Sequence, residues 1–321
     1  MTALEWIRQF ESYLTLVKNR SVNTVRSYTY DAESLYRFVT TGKLGQARIK
    51  APLTESIFDW ADFNEDKAVD YVRALKASGA KDTNVARKIY SLRQFFKFLG
   101  KKKVTTADPF EDMELHAIRR KLPATLSVNE MNRLLTRIRE TVPALLGVPN
   151  REAFLTIRDR ALLEVLYSAA LRVSELSGAN WQDIDFNKRE ITVTGKGNKT
   201  RVCPLGQKAL DALLEYQHHY ESHWERKPEG PAPVFLSMWD MRINTRTIPR
   251  TIRKWCKLAG VKRVNPHAFR HSAATHMLER GADIRVIQTL LGHASIITTE
   301  IYTSVAIRQV KSVHANTHPR A

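Results

Sequence analysis

The residues best suited to chemistry lie in the C-terminal half of the chain. In NPHAFRHSAATHM, His267 and Arg270 stand three apart, so both project from one face of one helix. An imidazole beside a guanidinium fork suits the oxygens of a phosphate. Arg172, in AALRVSEL, stands where a helix restarts, and Glu175 is placed three residues on to orient it. Lys196 lies at the tip of GKGNK, where glycines let backbone approach a ligand. His293 follows Gly292 in LLGHAS, and Tyr302 comes soon after. Cleaving a phosphodiester without a metal needs a nucleophile, cationic donors for the non-bridging oxygens, an acid for the leaving alkoxide and a tuned base. Each is available here. Singly, an Arg or Tyr is more often a packing or salt-bridge residue, and GKGNK a solvated turn; the ordered combination carries the weight.

Those residues must be positioned by a chain of 321 residues, long enough for two domains with separate cores. Lys and Arg number 51 against 33 Asp and Glu, a formal charge of +18 with a pI near 10. Counterion release on a polyanion explains such an excess, with solubility or a membrane surface as the plainer alternatives. No apolar run reaches the length of a membrane span, and MTALEWIRQF carries no signal-peptide pattern. Two cysteines, Cys203 and Cys256, make no disulfide framework, so a reducing, cytoplasmic location is expected.

The first third reads as helices. Trp6, Ile7, Phe10, Leu14 and Val17 recur at helical spacing, and Ser21 is the N-cap expected for a second helix. Gly42 to Pro52 is loop-like, a third helix covers about Ala68 to Leu75, and a fourth runs from about Asn84 to a stop at Gly100. The fourth interleaves Arg87, Lys88, Arg93 and Lys97 with aromatics, either a core helix with a solvated basic face or a helix lying along DNA. Ser127 to Glu130 is a capping box that opens a second domain. Helices continue to Ala169, broken by an irregular stretch from Val142 to Arg151. ITVTGKGNKTRVCPL then alternates as a hairpin turning at Gly195 to Asn198. Leu210 onward is helical, Pro228 to Pro233 is a loop, and Pro249 opens or interrupts another helix. Asn265 and Pro266 start a helix that Gly281 stops, followed by helices over Asp283 to Leu291 and about Ser295 to Tyr302. The expected division is 1–115, a linker at 116–124, and 125–321.

The order Arg172, Lys196, His267-x-x-Arg270, Gly-His293, Tyr302 resembles that of the tyrosine recombinases of the phage integrase family. The strings IRDRALLEVLYSAALRVSEL, GKGNKTRVCPL, HAFRHSAATHML and IQTLLGHASIITTEIYT are similar to the family's too, and SVNTVRSYTYD and ARKIYSLRQFFKFL look like its N-terminal core-binding domain. The closing HPRA is similar to the ending of the bacterial Xer branch. The resemblance implies a mainly α fold: a helical SAM-like core-binding domain, then an α-rich catalytic domain with a small antiparallel β-sheet. It implies that Tyr302 attacks the scissile phosphate to leave a 3′-phosphotyrosine and a free 5′ hydroxyl. Arg172, Arg270 and His293 would stabilise the transition state, Lys196 would protonate the leaving oxygen, and His267 would assist proton transfer. Glu175 would support Arg172, and Arg87, Arg93, Lys199 and Arg201 are the expected DNA contacts. No metal, ATP or other cofactor is expected. The implied partners are a double-stranded recombination site, three further protomers in a homotetramer or with a paralogous recombinase, and a DNA translocase; the segment from Ser304 to Ala321 would pack against a neighbouring protomer. Chromosome dimer resolution and a role in cell division follow from the Xer likeness, with integration of a phage or mobile element as the alternative. Three departures stand out: Ala170 replaces a usual glycine, and the stretches 41–61 and 136–152 are longer than in common Xer proteins.

Other readings share some of these features. IRVIQTLLGHASIITTEIYT resembles a helix-turn-helix, which suits a non-catalytic regulator, but such a module has no need of Arg172, Lys196 or the His267–Arg270 pair. A metal hydrolase built on His267, His271, His276 and His293 lacks HExxH and sets Arg270 among its ligands. His271 reads as a packed or supporting residue, and His218 with His219 as a surface pair. A type IB-like topoisomerase uses similar chemistry without the dedicated N-terminal domain.

Overall fold

The computed structural model describes residues 1–45, 58–113, 125–142, 151–195, 199–292 and 304–321, with side chains from 310 onward in the last segment. The expected linker at 116–124 and helix over 295–302 therefore lie outside the described residues, as do 46–57 and 143–150 of the two long stretches. The chain divides into two compact units, Met1–Lys121 and Leu122–Ala321.

The first unit is helical: α1 (Ala3–Ser12), α2 (Val22–Thr41), α3 (Glu65–Ala77) and α4 (Asp82–Lys101). A Thr2–Glu5 capping box starts α1, and a π-helical turn, Tyr13–Val17, ends it. That turn adds a residue to the repeat, so Ile7, Phe10 and Leu14 are buried as expected while Val17 turns out to 68% exposure. Ser21 does cap α2, although its hydroxyl bonds Thr24 and not a backbone N–H. Gly42, at φ +69, closes α2. Gly100 does not stop α4, which runs one residue further. Phe10, Trp60, Phe95, Phe96, Phe98 and Phe110 form the centre of the core. Asp31 is fully buried and accepts from Arg87 and Lys88, binding α2 to α4.

The second unit runs α5 (Val128–Thr141), α6 (Arg151–Ser168), α7 (Val173–Gly178), β1 (Ile184–Asp185), β2 (Glu190–Thr194), β3 (Thr200–Pro204), α8 (Gln207–Trp224), α9 (Thr247–Leu258), α10 (Pro266–Glu279), α11 (Ile284–Leu291) and α12 (Ser304–Thr317). Both halves of the Ser127–Glu130 box are made. Asn265 caps α10 through Ala268 N–H, with Pro266 in the first turn. The strands pair antiparallel in the order β1-β2-β3, with Val193 opposite Arg201. α6, buried nearly all round, is the axis of the core. The fold is thus mainly α with a small antiparallel sheet.

The end of the C-terminal tail is seated on its own unit. The Arg320 guanidinium forks onto the buried Glu164 carboxylate, Nε to Oε2 at 2.7 Å. His314 bonds the Ser168 carbonyl at 2.9 Å and stacks on His318 at 4.6 Å. Gly206 makes room for this seat, since a Cβ there would collide with the Arg320 carbonyl. A buried ion pair with a satisfied carboxylate holds firmly because breaking it strands a charge in low dielectric.

Candidate active site

Three guanidinium groups converge on one helix end. Gly292, at φ +61, terminates α11 and leaves its last carbonyls facing outward from the turn. Arg201 Nε donates to Leu290 O at 3.1 Å, Arg270 Nη2 donates to Leu291 O, and Arg172 Nη2 donates to Gly292 O at 3.3 Å. Cations are favoured at this negative end of the helix dipole. Arg270 also donates to the Ala170 carbonyl at 2.7 Å.

Ala170 itself sits at φ +48, in the left-handed region. That is the physical reason a glycine is usual there, because an L side chain is strained in this conformation. The turn it makes ends α6 and aims Arg172 inward as the N-cap of α7.

Glu175 organises the cluster. Its carboxylate accepts from the Arg172 backbone N–H and from Arg172 Nη1, each at 2.7 Å, and from Arg201 Nη1 and Nη2, the latter also at 2.7 Å. Burial works against its charge, but the bonds from Arg201 and Arg172 outweigh that and hold the carboxyl at about 2. Among the described residues no carboxylate is bonded to Arg270. Burial, then the like charges of Arg172 and Arg201, lower it to about 10, so it stays protonated at neutral pH with its charge poorly compensated. Among the described residues, three cations face one carboxylate, an arrangement that favours a bound anion.

The β2–β3 hairpin reaches the same place. A Cβ on Gly195 would lie 3.4 Å from Glu175 Oε1 and 3.9 Å from Arg172 Nη1. Lys196, next in sequence, lies outside the described residues, as do His293 and Tyr302. Arg172, Arg270 and Glu175 are brought together. His267 shares α10 with Arg270, but it lies exposed on the first turn while Arg270 is buried.

The expected DNA contacts divide. Lys199 is exposed at the hairpin. Arg201 is not: only 4% exposed, it faces Glu175, because its strand position is in phase with buried Cys203. Arg87 binds Asp31 and Ser27, and Arg93 binds the carbonyls of Phe110, Glu111 and Met113, so both serve the first unit's packing. Lys18, Arg20 and Lys101, which the sequence did not single out, line a cleft of about 190 Å³ in that unit together with Lys97. His271 is exposed, not packed as expected, and His276 is held by Tyr167 and the Leu126 carbonyl. Among the described residues no three His, Cys, Asp or Glu cluster as a metal site, and no helix is long and apolar enough to cross a membrane.

Comparison with known proteins is consistent over the whole length. Residues 125–308 match the phage integrase family, and residues 7–103 match the phage integrase N-terminal SAM-like domain. The chain is 34% identical over 321 residues to tyrosine recombinase XerC of Syntrophus aciditrophicus (strain SB), covering 99% of this chain and 98% of that one. It is 32% identical over 317 residues to tyrosine recombinase XerD of Proteus mirabilis, covering 98% and 93%. A lambda integrase (75–356) dimer bound to a COC′ core site shares the fold, with a TM-score of 0.64 at 16% identity over 92% of this chain and 96% of that one. The chain belongs to the phage integrase family, as a site-specific DNA recombinase of the tyrosine type on its Xer branch.

Proposed function

We propose that this protein cuts and rejoins DNA at a specific site through a 3′-phosphotyrosine on Tyr302, in Xer-type resolution of chromosome dimers. The observation that carries the chemistry is the meeting of Arg172 and Arg270 at the end of α11, one residue before His293. The scissile phosphate binds beside Arg172 and Arg270. A unit charge about 4 Å from a phosphate oxygen is worth about 4 kcal/mol at an effective dielectric of 20, and this grows as a pentacoordinate phosphorane gathers charge. Glu175 fixes the Arg172 fork, so little reorganisation is needed. The Tyr302 phenol oxygen forms the bond to phosphorus as the bond to the 5′ oxygen breaks. Lys196 supplies that oxygen's proton, and His267 and His293 assist proton transfer and charge stabilisation. The phosphotyrosine conserves the bond energy, so a 5′ hydroxyl from a partner strand reverses the step.

The chain resembles XerC and XerD proteins almost equally, which fits a tetramer on two DNA sites, built from one recombinase or from two paralogues. The exposed cations Lys18, Arg20, Lys97 and Lys101 are the first unit's best candidates for phosphate contacts. The expected segmentation, 1–115 and 125–321 about a linker at 116–124, suits two units that each bind DNA. The test is Tyr302→Phe, on a duplex carrying the sequence the protein enriches from a random pool. It should bind as the wild type does and form no covalent adduct; an adduct at wild-type yield refutes the assignment.

A further inference from the structure

We propose that Arg201 is a positioning residue for strand cleavage, acting through Glu175 and Arg172 and not by touching DNA. The inference rests on the reading of Arg172 given above. Arg201 is buried and lies on β3, yet its one guanidinium joins three elements that carry the site. Nη1 and Nη2 hold both oxygens of Glu175, which in turn accepts from the backbone N–H and Nη1 of Arg172 on α7. Nε holds Leu290 O, next to the carbonyls that take Arg270 and Arg172. The turn that follows is shaped around it: a Cβ on Gly292 would lie 3.0 Å from Arg201 Cδ and 3.4 Å from Nε. Gly292 therefore serves both its positive φ and the passage of the Arg201 stem. On the other side, Gly195 abuts Glu175 at the foot of the hairpin tip.

The consequence is mechanical. Without Arg201, Glu175 loses its bidentate partner and Arg172 keeps only a carboxylate free to swing. Lysine does not replace the link, because a point donor cannot span two carboxylate oxygens and a carbonyl at once. An error of about 1 Å in the placement of a reacting or stabilising group lowers rate about 100-fold.

The experiment uses the full chain and a nicked duplex of the pool-enriched sequence, measuring affinity and the adduct-forming rate at saturating DNA. Arg201→Ala should bind with unchanged affinity and form adduct about 100-fold more slowly. In an Arg172→Ala background the same change should cost less than about 3-fold, because the two residues act as one unit. Arg201→Lys should fall about 10-fold and stands in if the alanine variant does not fold. A wild-type rate in either variant, a loss of affinity that accounts for the loss of rate, or losses that multiply in the double variant would each overturn the proposal. A wild-type rate for Arg172→Ala alone would instead overturn the role of Arg172, and this inference with it.

Discussion

Replacing Glu175 by Gln removes a charge and almost no volume, so it isolates what the carboxylate contributes. The carboxyl is held at about 2 against its ordinary 4.5. The folded state therefore favours the ionised form by about 3 kcal/mol over the unfolded one. Glutamine also turns an amide N–H₂ toward guanidinium donors and leaves Arg201 buried without its counter-ion, a class of loss worth about 3–5 kcal/mol. The second unit should therefore lose about 3 kcal/mol at pH 7. The folded pKa is depressed, so this stability is complete above pH 4.5 and fades as pH falls toward 2. At pH 3 more than half of the carboxylate's contribution should be gone. Urea unfolding suits the measurement, with pulse-labelling hydrogen exchange of the α6 and α8 peptides reporting the second unit alone. A gap under about 1 kcal/mol at pH 7, or one unchanged down to pH 3, would refute the account of this cluster.

Ala170→Gly should relieve the strain at φ +48 and raise the second unit's melting temperature by about 2–4 °C, for a gain near 1 kcal/mol, with the Arg270 bond to its carbonyl retained. A lower melting temperature would contradict it. The tail should loosen in acid. Burial lowers His314 to about 4, and burial with the nearby His314 charge lowers His318 well below its usual value. Both rings protonate more readily when unfolded, so stability is complete above pH 6.5 and falls by about 1.4 kcal/mol per pH unit per ring as pH drops toward 4. His314→Gln keeps a donor for the Ser168 carbonyl and removes one titrating ring, so its pH slope over that range should be shallower by that amount; equal slopes would count against the reading.

Local rules were legible where their partners are close in sequence. Ser127 and Glu130, Asn265 and Ala268, and Gly292 at a helix end obey rules spanning a few residues, and each holds in the structure. The hairpin was equally plain from alternation, and that alternation contained a signal that went unused. Arg201 shares the phase of Cys203 and pairs with Val193, so it had to face inward despite its charge. The intrachain partners of Arg87 and Arg93 were not legible because a guanidinium carries no mark of its acceptor; Asp31 lies 56 residues away from Arg87. The tail's seat depends on Glu164, 156 residues from Arg320, a pairing no periodicity announces. Ala170 hid its conformation because alanine has no preference for positive φ, and only the contrast with a usual glycine pointed to it.

The identity of the nucleophile is tested most directly by trapping the protein on a nicked duplex, digesting it, and locating the DNA-bearing peptide by mass spectrometry. The account requires a nucleotide 3′-phosphate esterified to the Tyr302 phenol. A link through any other side chain, or no link at all on DNA that the folded protein holds, would contradict it.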